Sequence, residues 1–333
     1  MDVDETDLAV VHALQLSPRA TWTDIGEVIG IDSTRAAQRW RRLHESGLAW
    51  AAVTPGDDIV RATVAGSAVE VHCPTHLIPQ VATEVSQNPW VLSVEQVTNR
   101  CELLLEVVGG DLAHLSQIVH HEIGHLDGVE HVRMDVAAGL FVEGSAWRLD
   151  ALSPQQQRRL TQLASPSTRA RPASPEVTAQ LSAILRNDVR TTAVEIAHQL
   201  GWSESTARRR LDQVLGVGGL RLRVDLAQPA TGFPLTVTSW FRVPNRSLSR
   251  AGASVAELRH TRVCVGLASG ESNLLVGSWL RSPQDVSELD IDLSAALDGA
   301  RLVDRTLTVR TYKRAARLIE ADGRARSLVP FSL

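Results

Sequence analysis

The stretch His121-Glu122-Ile123-Gly124-His125, followed by Gly128 and His131, holds the residue types of metal chemistry. His121 and His125 at i and i+4 share one face of a helix, and Gly128 permits a turn. His131 can then be a third ligand and Glu122 a general base, the set that zinc-assisted peptide hydrolysis needs. A second stretch implies a different chemistry. From Ser203 onward, Ala207, Leu211 and Val214 form one apolar stripe, and Ser205, Thr206, Arg208, Arg209 and Arg210 occupy the other faces. Ser203 is a good N-cap for that helix. Small hydroxyls permit close approach to a DNA major groove, and arginine reads guanine or grips phosphate. The plainer reading is a solvated basic helix.

Both stretches sit in a sequence that repeats itself. At an offset of 171, Arg19, Thr21, Ile25, Gly30, Ala36, Arg39 and Gly47 meet Arg190, Thr192, Ile196, Gly201, Ala207, Arg210 and Gly218. Leu77, Val94 and Leu103 meet Leu248, Val265 and Leu274, and Leu126-Asp127-Gly128 meets Leu297-Asp298-Gly299. The register runs without a gap for more than a hundred positions and reads as a tandem duplication.

Each copy starts with three helices. In the first they are Asp7 to Leu16, Asp24 to Ile29 capped by Thr23 and stopped by Gly30, and Ser33 to His44 capped by Asp32. The third exposes Thr34, Arg35, Gln38, Arg39, Arg41 and Arg42, and the glycine turn before it describes a helix-turn-helix. Strand-like Ile59 to His72, a helix face Leu77 to Val85, strands Trp90 to Val97 and Glu102 to Val108, a helix face Leu112 to Ile123, and strand Val129 to Val136 follow. That βαββαβ order predicts an antiparallel four-stranded sheet with two helices on one face. The second copy repeats it: helices Glu176 to Arg186, Ala193 to Leu200 and the one after Ser203, then alternating elements from Pro234 to Tyr312. The predicted class is α+β, with two winged or plain helix-turn-helix domains (1–50 and 176–220) and two ferredoxin-like domains (59–140 and 221–313). Residues 141–175 read as a linker, extended at Pro166, Pro172 and Pro175, with a short helix whose Leu160 and Leu163 are available for docking. Residues 314–333 read as an uninformative tail. Trp22, Trp40, Trp50 and Trp202 read as core, because they fall on or beside apolar stripes.

The bulk properties agree. The 333 residues are 44% hydrophobic and 22% charged, with net charge −4. That excludes a chain that coats nucleic acid non-specifically and leaves room for local basic patches. Three scattered cysteines, no run of 18 apolar residues and an acidic N-terminus predict a cytoplasmic protein without disulfides, membrane spans or a signal peptide.

The pattern Ile-Ala-x-x-Leu-Gly-x-Ser-x-Ser-Thr-x-x-Arg-Arg from Ile196 to Arg210, with Asp188-Val189-Arg190 before it, resembles the DNA-binding domain of the Lrp/AsnC regulators. Val189 departs from that family's glycine. The pattern is eroded in the first copy, where Asp32, Thr34, Arg35 and Gln38 stand in place of its Ser, Ser, Thr and Arg. The βαββαβ module resembles the family's ligand-sensing and oligomerising domain, and two units in one chain resemble its tandem subgroup. The resemblance implies a small effector, often an amino acid, where sensing domains meet. The family's Gly-x-x-Asp loop becomes Gly270-Glu-Ser-Asn273 here, and Asn99-Arg100-Cys-Glu102 in the first copy, where Glu102 can meet an ammonium. The alternative is that these are ordinary turn residues.

The histidine motif matches the metzincin zinc peptidases, but the repeat already explains Gly128. The positions equivalent to His121, Glu122, His125 and His131 are Asp292, Leu293, Ala296 and Leu302, so the fold does not need zinc. Met134 is also too close behind His131 to form that family's methionine turn.

The expectation is therefore a DNA-binding transcription regulator without catalytic activity or cofactor, responsive to a small effector such as an amino acid. It self-associates through its sensing domains. Its DNA contacts are Ser203, Ser205, Thr206, Arg208, Arg209, Arg210 and Arg190 in one copy and Thr34, Arg35, Gln38, Arg39 and Arg42 in the other. The two recognition helices differ at matching positions, so the double-stranded operator is expected to be non-palindromic. The rivals are a zinc peptidase or metal-binding protein, and a ligand-binding protein that no longer binds DNA. The acidic residues Asp2, Asp4, Glu5 and Asp7 favour the last of these.

Overall fold

The computed structural model describes residues 3–55, 65–144, 146–163, 173–216 and 219–330. The chain separates into two units, each drawing on both halves of the sequence. Ile59–Val64, Pro166, Pro172 and Gly218, which entered the sequence reading, lie outside the described residues.

The helical unit holds α1 (Glu5–Leu16), α2 (Trp22–Ile29), α3 (Ser33–Glu45), α6 (Pro154–Leu163), α7 (Pro175–Asn187), α8 (Ala193–Leu200) and α9 (Glu204–Val214). α1 starts two residues earlier than its apolar spacing predicts, because Asp4 and Asp7 form a reciprocal capping box. The cap of α2 is Thr21, not Thr23: the Thr21 hydroxyl accepts from the Asp24 backbone N–H at 3.1 Å. Gly30 and Gly201 end α2 and α8 at φ +87° and +66°, where a side chain would be strained. Ala207, Leu211 and Val214 of α9 pack against Leu181, Leu185 and Ile196. No wing hairpin follows either recognition helix among the described residues. Instead β1 (Ala49–Pro55) and β6 (Leu220–Leu226), one from each copy, pair antiparallel with each other. The linker helix α6 lies on α1 and α2, with Leu160 fully buried, Leu163 exposed, and Gln156 Nε2 donating to Val28 O at 2.8 Å.

The two helical triples are locked by a reciprocal contact. Arg19 donates to the carbonyls of Val189 and Thr191, and Arg190 donates to those of Pro18 and Ala20. Each arginine thus reaches the carbonyls on either side of the other.

The sheet unit contains two βαββαβ modules. The first is β2 (Ala65–His72), α4 (Ile78–Val85), β3 (Val91–Val97), β4 (Leu103–Gly109), α5 (Leu112–Gln117) and β5 (His131–Val142). The second is β7 (Leu235–Arg242), α10 (Leu248–Ala256), β8 (Thr261–Leu267), β9 (Leu274–Leu280), α11 (Val286–Ala296) and β10 (Arg301–Arg314). The strand orders are β5-β2-β4-β3 and β10-β7-β9-β8. The modules join at both edges, β5 to β8 and β3 to β10, so these eight strands close into a ring. β5 runs beyond the predicted Val136 because Ala137–Val142 finds this partner. The helices cover the outside, over one core containing Val69, Leu105 and Ile118 and another containing Val237, Leu274 and Leu293. Trp240, Leu267 and Leu275 meet Ala68 and Leu104 on the inner face.

Three details differ from the sequence reading. The repeat does not hold one register: β2, α4 and β3 match β7, α10 and β8 at an offset of 170. The hairpin loop Thr98–Glu102 is then one residue shorter than Ala268–Asn273, each closed by a backbone bond (Val97 N to Glu102 O, Leu267 N to Asn273 O), which restores 171. α5 widens into a π-helical turn over Ile118–Ile123, which turns both Ile118 and Val119 inward and leaves Leu112 exposed. The supposed tail is structured: β11 (Arg317–Ile319) pairs with β10, and β12 (Ala325–Leu328) with β11.

Candidate functional site

α9 presents the face expected of it. Ser203, Glu204, Ser205, Arg208 and Arg209 are exposed, and Thr206 is half-buried. The Ser203 hydroxyl accepts from Thr206 N at 3.2 Å and so fixes the start of the helix. Arg208 meets Glu204 at 2.7 Å, an exposed pair that phosphate can displace at small cost. Arg210 stacks on Trp202 at 4.0 Å.

α3 is less free. Thr34, Arg35, Gln38 and Arg41 are exposed. Arg39 instead turns back to Asp4 and Asp7, at 2.8 and 2.7 Å, and Arg42 also reaches Asp7, whose side chain is fully buried. Arg39 is the main reason that Asp4 is held below the usual carboxylate range. The acidic N-terminus thus neutralises two arginines assigned to DNA.

Arg190 is likewise committed elsewhere. It sits between the helical triples, stacks on Trp22 at 4.1 Å, and is pushed down to about 10 by burial and then by neighbouring Arg19. Reciprocal contacts of this kind are invisible to a one-dimensional reading. The equivalence of Arg19 and Arg190 was the available signal. Of the four tryptophans read as core, Trp50 alone is buried, and Trp22 and Trp202 act as platforms for arginine.

The histidines of the metal motif separate. The rings of His121 and His125 lie 5.6 Å apart, but His121 is on the π-helical turn and His125 in the turn after it. His131 begins β5 and stacks on His72, its partner across the sheet, at 5.7 Å. Glu122 accepts from Asn88 Nδ2 at 2.8 Å. Among the described residues no three His, Cys, Asp or Glu side chains come together as a metal-ligand group.

The two loops expected to meet an effector lie at equivalent places, each against the other module. Leu307 N donates to Thr98 Oγ1 at 3.0 Å, and Val136 N to Ser269 Oγ at 3.2 Å. Asn99 and Gly270 both take positive φ, 67° and 85°. Their chemistry differs. Asn273 is buried and spent on main chain: Oδ1 accepts from Val243 N at 2.8 Å, and Nδ2 donates to Val243 O at 2.7 Å. Glu102, half-exposed, accepts from Cys73 N at 3.3 Å and lies 3.4 Å from His72 Nδ1. Arg100 points to the inner face of the ring, where it pairs with Glu70 and with Asp304 at 3.2 Å. Glu70, Asp304 and Asp135 were missed in the sequence because alternating charge on a strand gives no sign of which face closes inward.

Against known proteins, the AsnC-type helix-turn-helix domain matches residues 3–44, and the Lrp/AsnC ligand binding domain matches residues 67–146. Both stretches lie in the first half, whose recognition pattern looked the more eroded. No curated protein matches the chain. Among solved structures, the siroheme decarboxylase NirDL bound to an iron-uroporphyrin III analogue is similar over 94% of this chain and 93% of its own. Its TM-score is 0.59 at 15% identity. The same enzyme in a second structure gives 0.57 at 15% identity, again over 94% and 93%. E. coli AsnC covers 42% of this chain and 94% of its own, at TM-score 0.37 and 12% identity. The expectation of a chain without catalytic activity is corrected by the first two: this architecture, nearly end to end, is also that of an enzyme. No helix among the described residues is long and apolar enough to cross a membrane. The chain carries an AsnC-type helix-turn-helix domain and an Lrp/AsnC ligand binding domain within a mixed α+β fold.

Proposed function

We propose that this chain is a DNA-binding transcription regulator of the Lrp/AsnC kind, built as a covalent pseudo-dimer by tandem duplication. The observation that carries the reading is the exposed face of α9: Ser203 and Ser205 at its N-terminal end and Arg208 and Arg209 in its second turn lie opposite a stripe buried in the helical core. Recognition helices contact base edges mainly through N-terminal residues of this kind. α3 offers a different set, Thr34, Arg35, Gln38 and Arg41, so the operator has two unlike half-sites. The effector is a small molecule, an amino acid being the first class to try, acting at the Glu102 loop where the modules meet. Band shifts with the DNA upstream of the chain's own gene, with and without a panel of amino acids, test this. A salt-sensitive shift that survives excess non-specific DNA supports the reading, and the lack of any sequence-dependent shift overturns it.

A second reading is favoured by the end-to-end likeness to the siroheme decarboxylase: the chain acts on a polycarboxylated tetrapyrrole. Anaerobic incubation with siroheme, followed by mass spectrometry, tests it. Loss of carboxylate as carbon dioxide supports catalysis, and unchanged siroheme rejects it.

A further inference from the structure

The inner face of the eight-stranded ring contains polar atoms that nothing in the fold satisfies. Eight strands enclose just enough space for side chains or one small ligand. Glu70 is 3% exposed; one oxygen pairs with Arg100 Nε, and the other, Oε2, is buried without a hydrogen-bond partner. Trp240, fully buried, has an unpartnered indole N–H, and Thr306, also fully buried, an unpartnered hydroxyl.

These groups are neighbours. Arg100 bridges Glu70 and Asp304 and lies over the Trp240 ring at 4.8 Å. Trp240 pairs across the sheet with Asp304, and Thr238 with Thr306. Asp135, paired with Ala68, is diagonal to Glu70 on the same face. Asp135 is pushed above the usual carboxylate range, first by burial and then by the charge of Glu70. A side chain on Gly270 would strike Asp135 Oδ1 at 2.5 Å, so the bare loop leaves that carboxylate its place. Three carboxylates (Glu70, Asp135, Asp304) thus face two guanidiniums (Arg100, and Arg133, which pairs across the sheet with Glu70 and lies beside Asp135).

An unpaired buried carboxylate oxygen calls for a donor, and an unpaired indole N–H calls for an acceptor. We propose that this inner face, between Glu70, Asp135 and Trp240, binds a small ammonium compound that also bears a hydroxyl. The ammonium meets Glu70 Oε2 and Asp135, and the hydroxyl oxygen accepts from Trp240 Nε1. The excess of negative charge disfavours a ligand carboxylate, so amino acids are poor occupants. The inference does not depend on DNA binding or on catalysis.

Calorimetric titration of the full chain with ethanolamine tests this, with ethylammonium, L-serine and magnesium chloride as comparisons at equal ionic strength. Ethanolamine should bind, with ethylammonium weaker and serine and magnesium without effect. Glu70→Gln should weaken ethanolamine at least about tenfold, the worth of one charge-assisted hydrogen bond. Trp240→Phe, which keeps a ring and loses only the N–H, should abolish the advantage of ethanolamine over ethylammonium. If Glu70→Gln does not fold, Asp135→Asn takes its place with the same expected loss. No binding by ethanolamine, equal binding in the carboxylate variants, or magnesium binding in its place would each overturn the proposal.

Discussion

Arg190 separates two accounts of the helical unit. As a DNA contact it would hold a phosphate. In the structure it donates to Pro18 O and Ala20 O, both at 2.7 Å, and stacks on Trp22 at 4.1 Å. Two hydrogen bonds from a charged donor contribute about 1–1.5 kcal/mol each, and the stacked ring about 0.5 kcal/mol, once partial exposure is discounted. Arg190→Ala should therefore cost about 2.5–3.5 kcal/mol of stability, visible as a lower urea midpoint with little change in slope. Arg19→Ala should cost a similar amount, because its bonds mirror those of Arg190. The double variant should cost more than the sum, since each single variant is relieved of the repulsion between the two guanidiniums and the double is relieved of it only once. The companion assay is the salt dependence of DNA binding. A lost phosphate contact lowers the log–log slope by about 0.9, and neither single variant should change it. An unaltered urea midpoint together with a slope reduced by about one unit would refute the clamp and return Arg190 to the DNA.

Other outcomes follow from the same contacts. Arg209→Ala should weaken specific DNA binding by about 1–3 kcal/mol if the side chain reads a base, measured by band shift against matched and scrambled sites. His12 is buried, accepts from Ala151 N at 3.2 Å, and is lowered to about 4, chiefly by burial. Its folded value lies below the unfolded value of about 6.5, so the unfolded chain binds the extra proton first. Stability is then fully present above about pH 6.5 and falls by up to about 3 kcal/mol as pH drops toward 4; His12→Gln should flatten that acid limb in urea titrations. Gly252→Ala should destabilise by about 2–3 kcal/mol, because the new methyl would lie 2.4 Å from the Phe141 ring across the module junction. Thermal unfolding that matched the unsubstituted chain would show that α10 can shift away from β5.

The sequence alone determined the local structure. Apolar spacing, caps and glycine stops place both helical triples and both βαββαβ modules, because those signals act within a few residues. It also identified Arg19 and Arg190 as equivalent, but not that they exchange partners. Tertiary structure decided which charges are free. Asp4 and Asp7 cap α1 and also pair with Arg39 and Arg42 of α3, so these two arginines leave the set expected to face DNA although their helical phase suits it. His131 leaves the His121 motif because strand pairing sets it beside His72. Closure of the ring turned Glu70, Asp135 and Asp304 toward one inner face, a consequence of edge pairing between strands far apart in sequence. Helical phase and strand alternation are encoded locally; which face becomes an interior depends on contacts that form only when the two halves meet.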